Sequence, residues 1–317
     1  MSDALVTVLS GGVGGAKLAL GLYDLVPEGR LSLVVNTGDD FDHLGFRICP
    51  DLDTALYTLS GLANPELGWG RAGETWAFMA ALEKLGGETW FRLGDGDLAL
   101  HALRTQRLAA GESLGTVMAG FARALGVHAG LHPMSDDSVA TMVETEEGEI
   151  GFQDYFVRLR CEPKIRALRF DGAGLARLSE GARAALSSPA LKAIVIAPSN
   201  PYLSIDPILA VPGVRAALEA ARAPVIAVSP IIAGKAVKGP TAKIMVELGL
   251  EPSPLAVARH YEGLIDGFVL DIRDAGVQPH FACATAVADT LMQSLADKQR
   301  VARAVLDFAE TLGGGRL

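Results

Sequence analysis

The sequence has few cysteines, no excess of positive charge and no long apolar run. Its three cysteines among 317 residues form no C-x-x-C pair, which argues against a disulfide framework and a thiolate metal site. The formal net charge of −9 argues against nucleic acid as the main partner, because phosphate backbones are held by clustered cations. No run approaches the ~20 apolar residues that cross a bilayer, and no signal-peptide pattern is present. We therefore expect a cytoplasmic protein with neither a nucleic-acid nor a membrane partner.

Linkers, fixed-period repeats and low-complexity segments are also missing. The chain is long enough to bury a large core, so we predict a single domain across residues 1–317. From about residue 54 to residue 126 the apolar residues recur at helical spacing. This stretch predicts a mainly helical insertion.

Residues 6–20 show the pattern of a strand, a glycine loop and a helix, which is predicted to run from Lys17 to about Leu25. Glycines let the backbone approach a ligand closely, and a helix N-terminus favours an anionic oxygen. The candidate phosphate-binding residues of this loop are Gly11, Gly12 and Gly14. The loop matches neither the dinucleotide fingerprint, whose third glycine position falls on Lys17, nor the P-loop. A glycine-rich turn that only packs the helix on the strand is the alternative.

A second buried strand is predicted over residues 31–36 and is followed by a crowd of acids. The carboxyl ends of parallel strands share one edge of a sheet, so these side chains should face the same crevice as the glycines. NAD-binding proteins use an acid at this strand end for a ribose hydroxyl, but Asn36 occupies it, which weakens an oxidoreductase interpretation. The acids are Asp39, Asp40, Asp42, Asp51 and Asp53.

One of Asp51 and Asp53 is expected to cap the helix that follows, but not all five acids can be caps. Carboxylate oxygens suit Mg²⁺, which usually takes one or two of them together with waters and phosphates. We therefore predict a Mg²⁺ site with Asp39, Asp40 and Asp51 as candidate ligands. A solvated acidic loop is the alternative.

The parallel pattern resumes with short buried runs at residues 193–197, 224–228 and 267–270. The fold class is therefore α/β, with a Rossmann-like, mostly parallel sheet flanked by helices. Residues 139–157 predict an added β-hairpin, residues 128–137 a polar loop, and 284–312 the closing helices.

Polar loops follow the later strands and supply further candidate ligand-binding residues. Their candidates are Asn200, Ser229, Lys235, Lys238 and Lys243, the lysines being suited to neutralising a diphosphate. Two segments of the helical stretch could hold a flat heterocycle by stacking and hydrogen bonds, although core packing is the commoner role of such tryptophans. They are Trp69, Arg71 and Trp76, and residues 90–97 with Arg92, Asp95 and Asp97.

Taken in order, these motifs resemble the CofD family of 2-phospho-L-lactate transferases, also called phosphoenolpyruvate transferases, of coenzyme F420 biosynthesis. The matching segments span nearly the whole chain: residues 10–17, 36–40, 49–54, 92–95, 133–137, 198–201 and 229–232.

The resemblance implies a Mg²⁺-dependent transfer of a phospho-lactyl or phospho-enolpyruvyl group from a guanosine diphosphate-linked donor to a hydroxyl of the deazaflavin Fo, with release of GMP. It also implies a homodimer. By motif, Asp53 and Arg92 match the Fo-contacting positions, and Asn200 and the glycine loop fall where the donor nucleotide is expected. Asp53 and Asp40 are the candidate catalytic carboxylates. An NAD(P)-dependent oxidoreductase and a non-catalytic guanine nucleotide-binding protein are the alternatives.

Overall fold

The structure is a computed structural model that describes residues 3, 5–65, 69–237 and 239–313. Its strands are β1 Val6–Ser10, β2 Leu31–Val35, β3 Phe41–His43, β4 Phe46–Ile48, β5 Gly130–Pro133, β6 Ala140–Thr145, β7 Gly148–Gly151, β8 Ile165–Asp171, β9 Ala193–Ile196, β10 Val225–Val228, β11 Ile231–Ile232, β12 Lys235–Ala236, β13 Gly267–Asp271 and β14 Ala284–Ala288.

The α-helices are α1 Gly12–Tyr23, α2 Pro50–Leu59, α3 Ala77–Lys84, α4 Asp95–Ala109, α5 Leu114–Ala124, α6 Glu180–Leu186, α7 Asp206–Ala210, α8 Val214–Glu219, α9 Thr241–Glu247, α10 Pro254–His260 and α11 Leu295–Thr311. None of them has the length and apolar character that a bilayer crossing requires.

In the described part of the chain, seven strands form one parallel sheet in the order β14-β13-β10-β9-β1-β2-β5. The chain starts in the middle at β1, moves outward to β5, and returns to the other side of β1 as β9. The direction of winding therefore reverses between β1 and β9. In open α/β sheets this reversal opens a crevice at the carboxyl ends of the strands, where ligands bind.

Both faces of the sheet are covered, which explains why its central strands are buried along their whole length. One apolar core lies under α1, α2, α5 and α11, and a second lies under the helices that follow β8. A third, smaller cluster joins Ile48 of β4 to Met79 and Leu93 of the predicted helical stretch. The described part of that stretch contains the end of α2 and all of α3, α4 and α5, whereas the division of the chain into one domain stays a prediction.

The prediction of an α/β fold with a mostly parallel sheet and a hairpin is confirmed, but several elements differ in detail. The hairpin of β6 and β7 belongs to a separate antiparallel sheet, because β6 also pairs with β8. Its second arm ends at Gly151, and residues Asp154–Arg158 turn into a short π-helix.

Both edge strands of the main sheet fall where the sequence predicted something else. The predicted polar loop contains β5, which pairs with β2, and the predicted closing helices begin with strand β14, which pairs with β13. In both cases pairing with a neighbouring strand overrides a weak local signal, since Gly130–Pro133 and Ala284–Ala288 are rich in glycine, proline or alanine. Neither Asp51 nor Asp53 caps α2, because Cys49 is the N-cap and both acids lie in the first turn.

Candidate active site at the switch point of the sheet

A cleft of about 700 Å³ opens at the carboxyl ends of the strands, beside the reversal between β1 and β9. Loops after several strands of the sheet line it, together with α2, α4 and the segment before α4. The predicted residues that line it are Gly11, Gly12, Gly14, Asp39, Asp51, Asp53, Arg92, Asn200 and Ser229.

The glycine wall of the cleft is built by close contact between the start of α1 and the loop after β9. The Ser199 hydroxyl accepts from Gly11 N at 3.1 Å and donates to Gly11 O at 2.7 Å. A Cβ on Gly14 would lie 2.4 Å from the carbonyl oxygen of Pro198, and Gly12 has φ +63°, so both positions require glycine. The helix therefore starts at Gly12, inside the glycine run, and its first turn faces the cleft.

Three carboxylates are buried beside this wall: Asp39, Asp40 and Asp51 are 7%, 6% and 7% exposed. Asp51 accepts hydrogen bonds from Gly12 N at 2.8 Å and from Asn36 Nδ2 at 3.0 Å. Among the described residues, Asp39 Oδ1 and both carboxylate oxygens of Asp40 have no hydrogen-bond partner. Buried oxygens without donors are costly unless something positive lies against them.

The pKa shifts of these three acids also favour a positive charge beside them. Burial raises the pKa of Asp39 well above its ordinary value, and the charge of Asp51 adds to the rise. Burial raises the pKa of Asp40 to about 7 against the opposing charge of Arg47, and raises that of Asp51 to about 6. A hard cation would reverse these shifts, and oxygen atoms alone are the donor set that Mg²⁺ prefers. The residues present therefore fit a divalent cation.

Asp53 lies on α2, two residues after Asp51, and its surroundings differ from those of Asp39, Asp40 and Asp51. Both of its oxygens contact the guanidinium of Arg104, with Nη1 at 3.2 Å from Oδ2. Burial raises the pKa of Asp53, and the positive charge of Arg104 opposes the rise. Asp53 is thus a paired carboxylate at the cleft, whereas Asp40 contacts its nearest cation only through a 3.8 Å approach of Arg47.

Another part of the cleft lining is aromatic. Trp90, Phe91, Phe152 and Phe156 line it, and the rings of Phe152 and Phe156 are stacked 5.3 Å apart. The Arg92 guanidinium lies 4.2 Å from the centre of the Trp76 ring and also lines the cleft. Such a wall can hold a flat heterocycle by stacking.

The polar residues predicted near the later strands have mixed positions. Asn200 Oδ1 accepts from the backbone N–H groups of Tyr202 and Leu203, while its buried Nδ2 has no partner among the described residues. The Ser229 hydroxyl accepts from Ile231 N at 3.1 Å and donates to Ile231 O at 2.8 Å. Asn36 does not line the cleft but holds Asp51 from behind.

Neither of the predicted lysines that the structure describes, Lys235 and Lys243, lines the cleft. Lys235 is exposed and is not among the lining residues, and Lys238 lies outside the described residues. Lys243 Nζ contacts Glu247 at 2.6 Å and the Tyr155 hydroxyl at 3.3 Å. Lys17 lines the cleft instead, with its Nζ donating to Met292 O at 2.8 Å.

Sequence reasoning missed His101 and Arg104, which share one face of α4 with Asp97, an acid of the predicted segment 90–97. Asp97, His101 and Arg104 are spaced by four and three residues, which is the spacing of neighbours on a helix surface. Asp97 and His101 line the cleft, and with Asp53 they offer ligand atoms within 4.8 Å of one another. The D-x-x-x-H-x-x-R spacing was the available signal.

Sheet order, cleft position and acid-rich glycine wall together define a Rossmann-like α/β protein of the doubly wound class. The family model described as 2-phospho-L-lactate transferase CofD matches residues 6–306, and the chain belongs to that family of transferases.

Similar proteins agree with this membership. A phosphoenolpyruvate transferase of Streptomyces griseus is 40% identical over 314 residues, covering 96% of this chain and 98% of the relative. A 2-phospho-L-lactate transferase of Methanosarcina mazei is 38% identical over 303 residues, covering 94% and 98%. A crystal structure of a UPF0052 family member from Bacillus halodurans matches with a TM-score of 0.63 at 17% identity, covering 96% of this chain and 99% of that one. That structure shares the fold.

Proposed function

We propose that this transferase of coenzyme F420 biosynthesis moves a phospho-lactyl or phospho-enolpyruvyl group from a guanosine diphosphate-linked donor to a hydroxyl of the deazaflavin Fo. The hydroxyl oxygen of Fo forms a bond to the phosphorus that carries the lactate or enolpyruvate oxygen, the bridging P–O bond of the diphosphate breaks, and GMP leaves with the bridging oxygen. The hydroxyl proton is released to water. The observation that carries the proposal is one cleft in a member of this family whose lining combines a wall of glycines and carboxylates with a wall of aromatic side chains.

Each wall suits one substrate. The first turn of α1 and Asn200, with its unpartnered Nδ2, would bind the donor diphosphate and nucleotide, because both offer hydrogen-bond donors. Ser229 and Lys17 lie along the same cleft. Trp90, Phe91 and Arg92 would hold the tricyclic ring of Fo.

Asp39, Asp40 and Asp51 would hold Mg²⁺. When bound, the ion supplies positive charge that neutralises the diphosphate and favours departure of GMP. Such transfers depend on positioning and charge neutralisation more than on a strong nucleophile. We assign Asp53 the role of accepting the hydrogen bond of the attacking hydroxyl, which orients its oxygen toward phosphorus. In the sequence-based assignment Asp40 was a second catalytic candidate, and its burial behind the lining residues favours the metal role instead.

The experiment is a product analysis by mass spectrometry. The purified protein is incubated with Fo, Mg²⁺ and, in separate reactions, the lactyl, enolpyruvyl or glyceryl diphosphoguanosine donor. We expect the corresponding phosphodiester of Fo and an equal amount of GMP with at least one donor, and the relative rates identify the preferred one. If none of the three donors gives product, the proposal is overturned.

Two variants make the test specific to the cleft. Asp53→Ala should abolish product formation, whereas Asp42→Asn changes an exposed acid of the same region and should keep wild-type turnover. A fluorescence titration with NAD(P)H addresses the oxidoreductase alternative, for which tight binding would be required. Release of GMP distinguishes an enzyme from a non-catalytic guanine nucleotide-binding protein. The homodimer and the cytoplasmic location stay predictions.

A further inference from the structure

Arg104 is a fully buried arginine on α4, with none of its surface exposed. Its two terminal nitrogens contact the two oxygens of Asp53, and Nη1 also donates to the carbonyl oxygen of Arg47 at 3.1 Å. A planar guanidinium that contacts both carboxylate oxygens fixes the direction of the carboxylate as well as its place.

The neighbouring histidine fixes the guanidinium in turn. Arg104 Nη1 lies 3.2 Å from His101 Nδ1, and the other ring nitrogen of the imidazole is Nε2. That nitrogen lies 3.2 Å from Asp97 Oδ2, and Asp97 Oδ1 accepts from the Tyr57 hydroxyl at 2.5 Å. The contacts therefore run from Asp53 on α2 through α4 to Tyr57, which lies on α2 one helical turn after Asp53.

This network also bears on where a metal ion can bind. Asp53, Asp97 and His101 offer three ligand atoms within 4.8 Å, which resembles a cation site. However, both oxygens of Asp53 already contact a buried guanidinium, and a divalent cation among these ligands would lie beside that fixed positive charge. The charge that Asp53 requires is supplied by Arg104.

We propose that Arg104 is a positioning residue that holds the Asp53 carboxylate in the direction needed to orient the acceptor hydroxyl of the deazaflavin. This inference rests on the proposed function and adds a residue to it. Each carboxylate oxygen has two acceptor sites, so the contacts with Arg104 leave Asp53 able to accept another hydrogen bond at the cleft. Arg104 does not line the cleft and acts through Asp53.

The test compares Arg104→Lys, which keeps the charge but loses the two-pronged contact, with the wild-type enzyme. We expect kcat/KM for Fo to fall about 30-fold, an effect of the size that misplaced catalytic groups produce. Binding of GMP, measured by calorimetry, should stay within about twofold, because the glycine wall is untouched. Arg107→Met is the matched control: Arg107 lies one turn further along α4, pairs with Glu112 at 2.5 Å and does not line the cleft.

A double-mutant cycle separates positioning from a general structural role. If Arg104 acts through Asp53, the variant carrying both Asp53→Asn and Arg104→Lys should be no slower than Asp53→Asn alone. Losses that add, an unchanged kcat/KM in Arg104→Lys, or an equal loss of GMP binding would each overturn the proposal. Tyr57→Phe loosens the same network from its far end and should lower kcat/KM for Fo about threefold. If Arg104→Lys does not fold, unchanged kcat/KM in Tyr57→Phe overturns the proposal.

Failure of the proposed function and failure of the Arg104 assignment would be seen in different samples. Failure of the proposed function appears in the wild-type enzyme as a missing phosphodiester product. Failure of the Arg104 assignment appears only in the ratio of variant to wild type.

Discussion

The carboxylate of Asp51 lies at the N-terminus of α1, where its Oδ1 accepts a hydrogen bond of 2.8 Å from the backbone N–H of Gly12. A negative charge at that end of a helix is stabilising. The same carboxylate is buried against Asp39, and the repulsion between them is the second cause, after burial, of the raised pKa of Asp39. Asp51 therefore makes a favourable contact with Gly12 and is repelled by Asp39.

The first prediction concerns Asp39. Asp39→Asn removes a buried charge that repels its neighbours, so we expect the melting temperature in EDTA to rise by about 1–3 °C. The same change removes a proposed Mg²⁺ ligand, and the transfer rate should fall at least about 100-fold. Thermal melts in EDTA and in Mg²⁺, together with GMP release, measure both effects.

The addition of Mg²⁺ should raise the melting temperature of the wild-type protein, since a ligand that binds only the folded state stabilises it. That shift should be absent in Asp39→Asn and kept in Asp42→Asn. In the wild-type protein the Asp42 carboxylate is exposed and pairs with Arg47 at 3.7 Å. A normal Mg²⁺ shift in Asp39→Asn would contradict the assignment of this ligand.

The second prediction concerns the contact between α1 and the loop after β9. The Cβ of Gly14→Ala would lie 2.4 Å from the Pro198 carbonyl oxygen, and backbone cannot move aside as a flexible side chain can. We expect a loss of roughly 1–3 kcal/mol in the free energy of unfolding, as overpacking typically costs. Urea denaturation measures it. Gly174→Ala, where nothing lies within 4 Å of the added atom, is the control and should stay near wild type.

The central strands were predictable because their sequences are short buried runs of β-branched residues, such as Ala193–Ile196 and Val225–Val228. The edge strands were not, because Ala284–Ala288 becomes a strand only through its pairing with β13. The start of α1 was misplaced for a similar reason: glycines weaken a helix locally, and the packing against Pro198 that requires them comes from far along the chain.

Part of the candidate site could likewise be predicted from the sequence, and part could not. The glycine loop and the acids follow neighbouring parallel strands, so the position of ligand sites in such sheets predicts that they share one crevice. The pairing of Asp53 with Arg104 joins residues 51 positions apart through the packing of α4. No spacing rule within one element could reveal it.

The third prediction concerns pH and His132 on β5. Burial lowers the pKa of His132 below its ordinary value, and a Cβ on Gly181 would lie 2.1 Å from its Nδ1, so α6 packs directly against the ring. In the window between the folded and the unfolded pKa, the unfolded chain binds more protons than the folded one. Stability is therefore lost as the pH falls through the unfolded value near 6.5, until the folded protein also takes up the proton.

The contribution of His132 is the difference between the wild-type protein and His132→Gln in urea denaturation at about pH 7.5 and about pH 5.5, because the raised pKa values of Asp40 and Asp51 act in the opposite direction in both proteins. His132→Gln should lose less stability between the two pH values than the wild-type protein does. His128→Gln is the control, because that imidazole is 58% exposed and pairs with Glu28 at the surface. Equal pH dependence in wild type and His132→Gln would show that His132 does not carry the effect.

The last prediction separates the two walls of the cleft. Arg92 is exposed, and its guanidinium stacks 4.2 Å from the Trp76 ring at the edge of the aromatic wall. If this wall holds the deazaflavin, Arg92→Ala should raise KM for Fo up to about tenfold, the size expected for one cation–π or hydrogen-bonding contact. KM for the guanosine diphosphate-linked donor should not change, because the donor is assigned to the glycine wall. Steady-state kinetics with each substrate varied in turn test the assignment, with Arg177→Ala as an exposed control whose partner is Asp137. A higher KM for the donor with an unchanged KM for Fo would mean that the two substrates occupy the opposite walls.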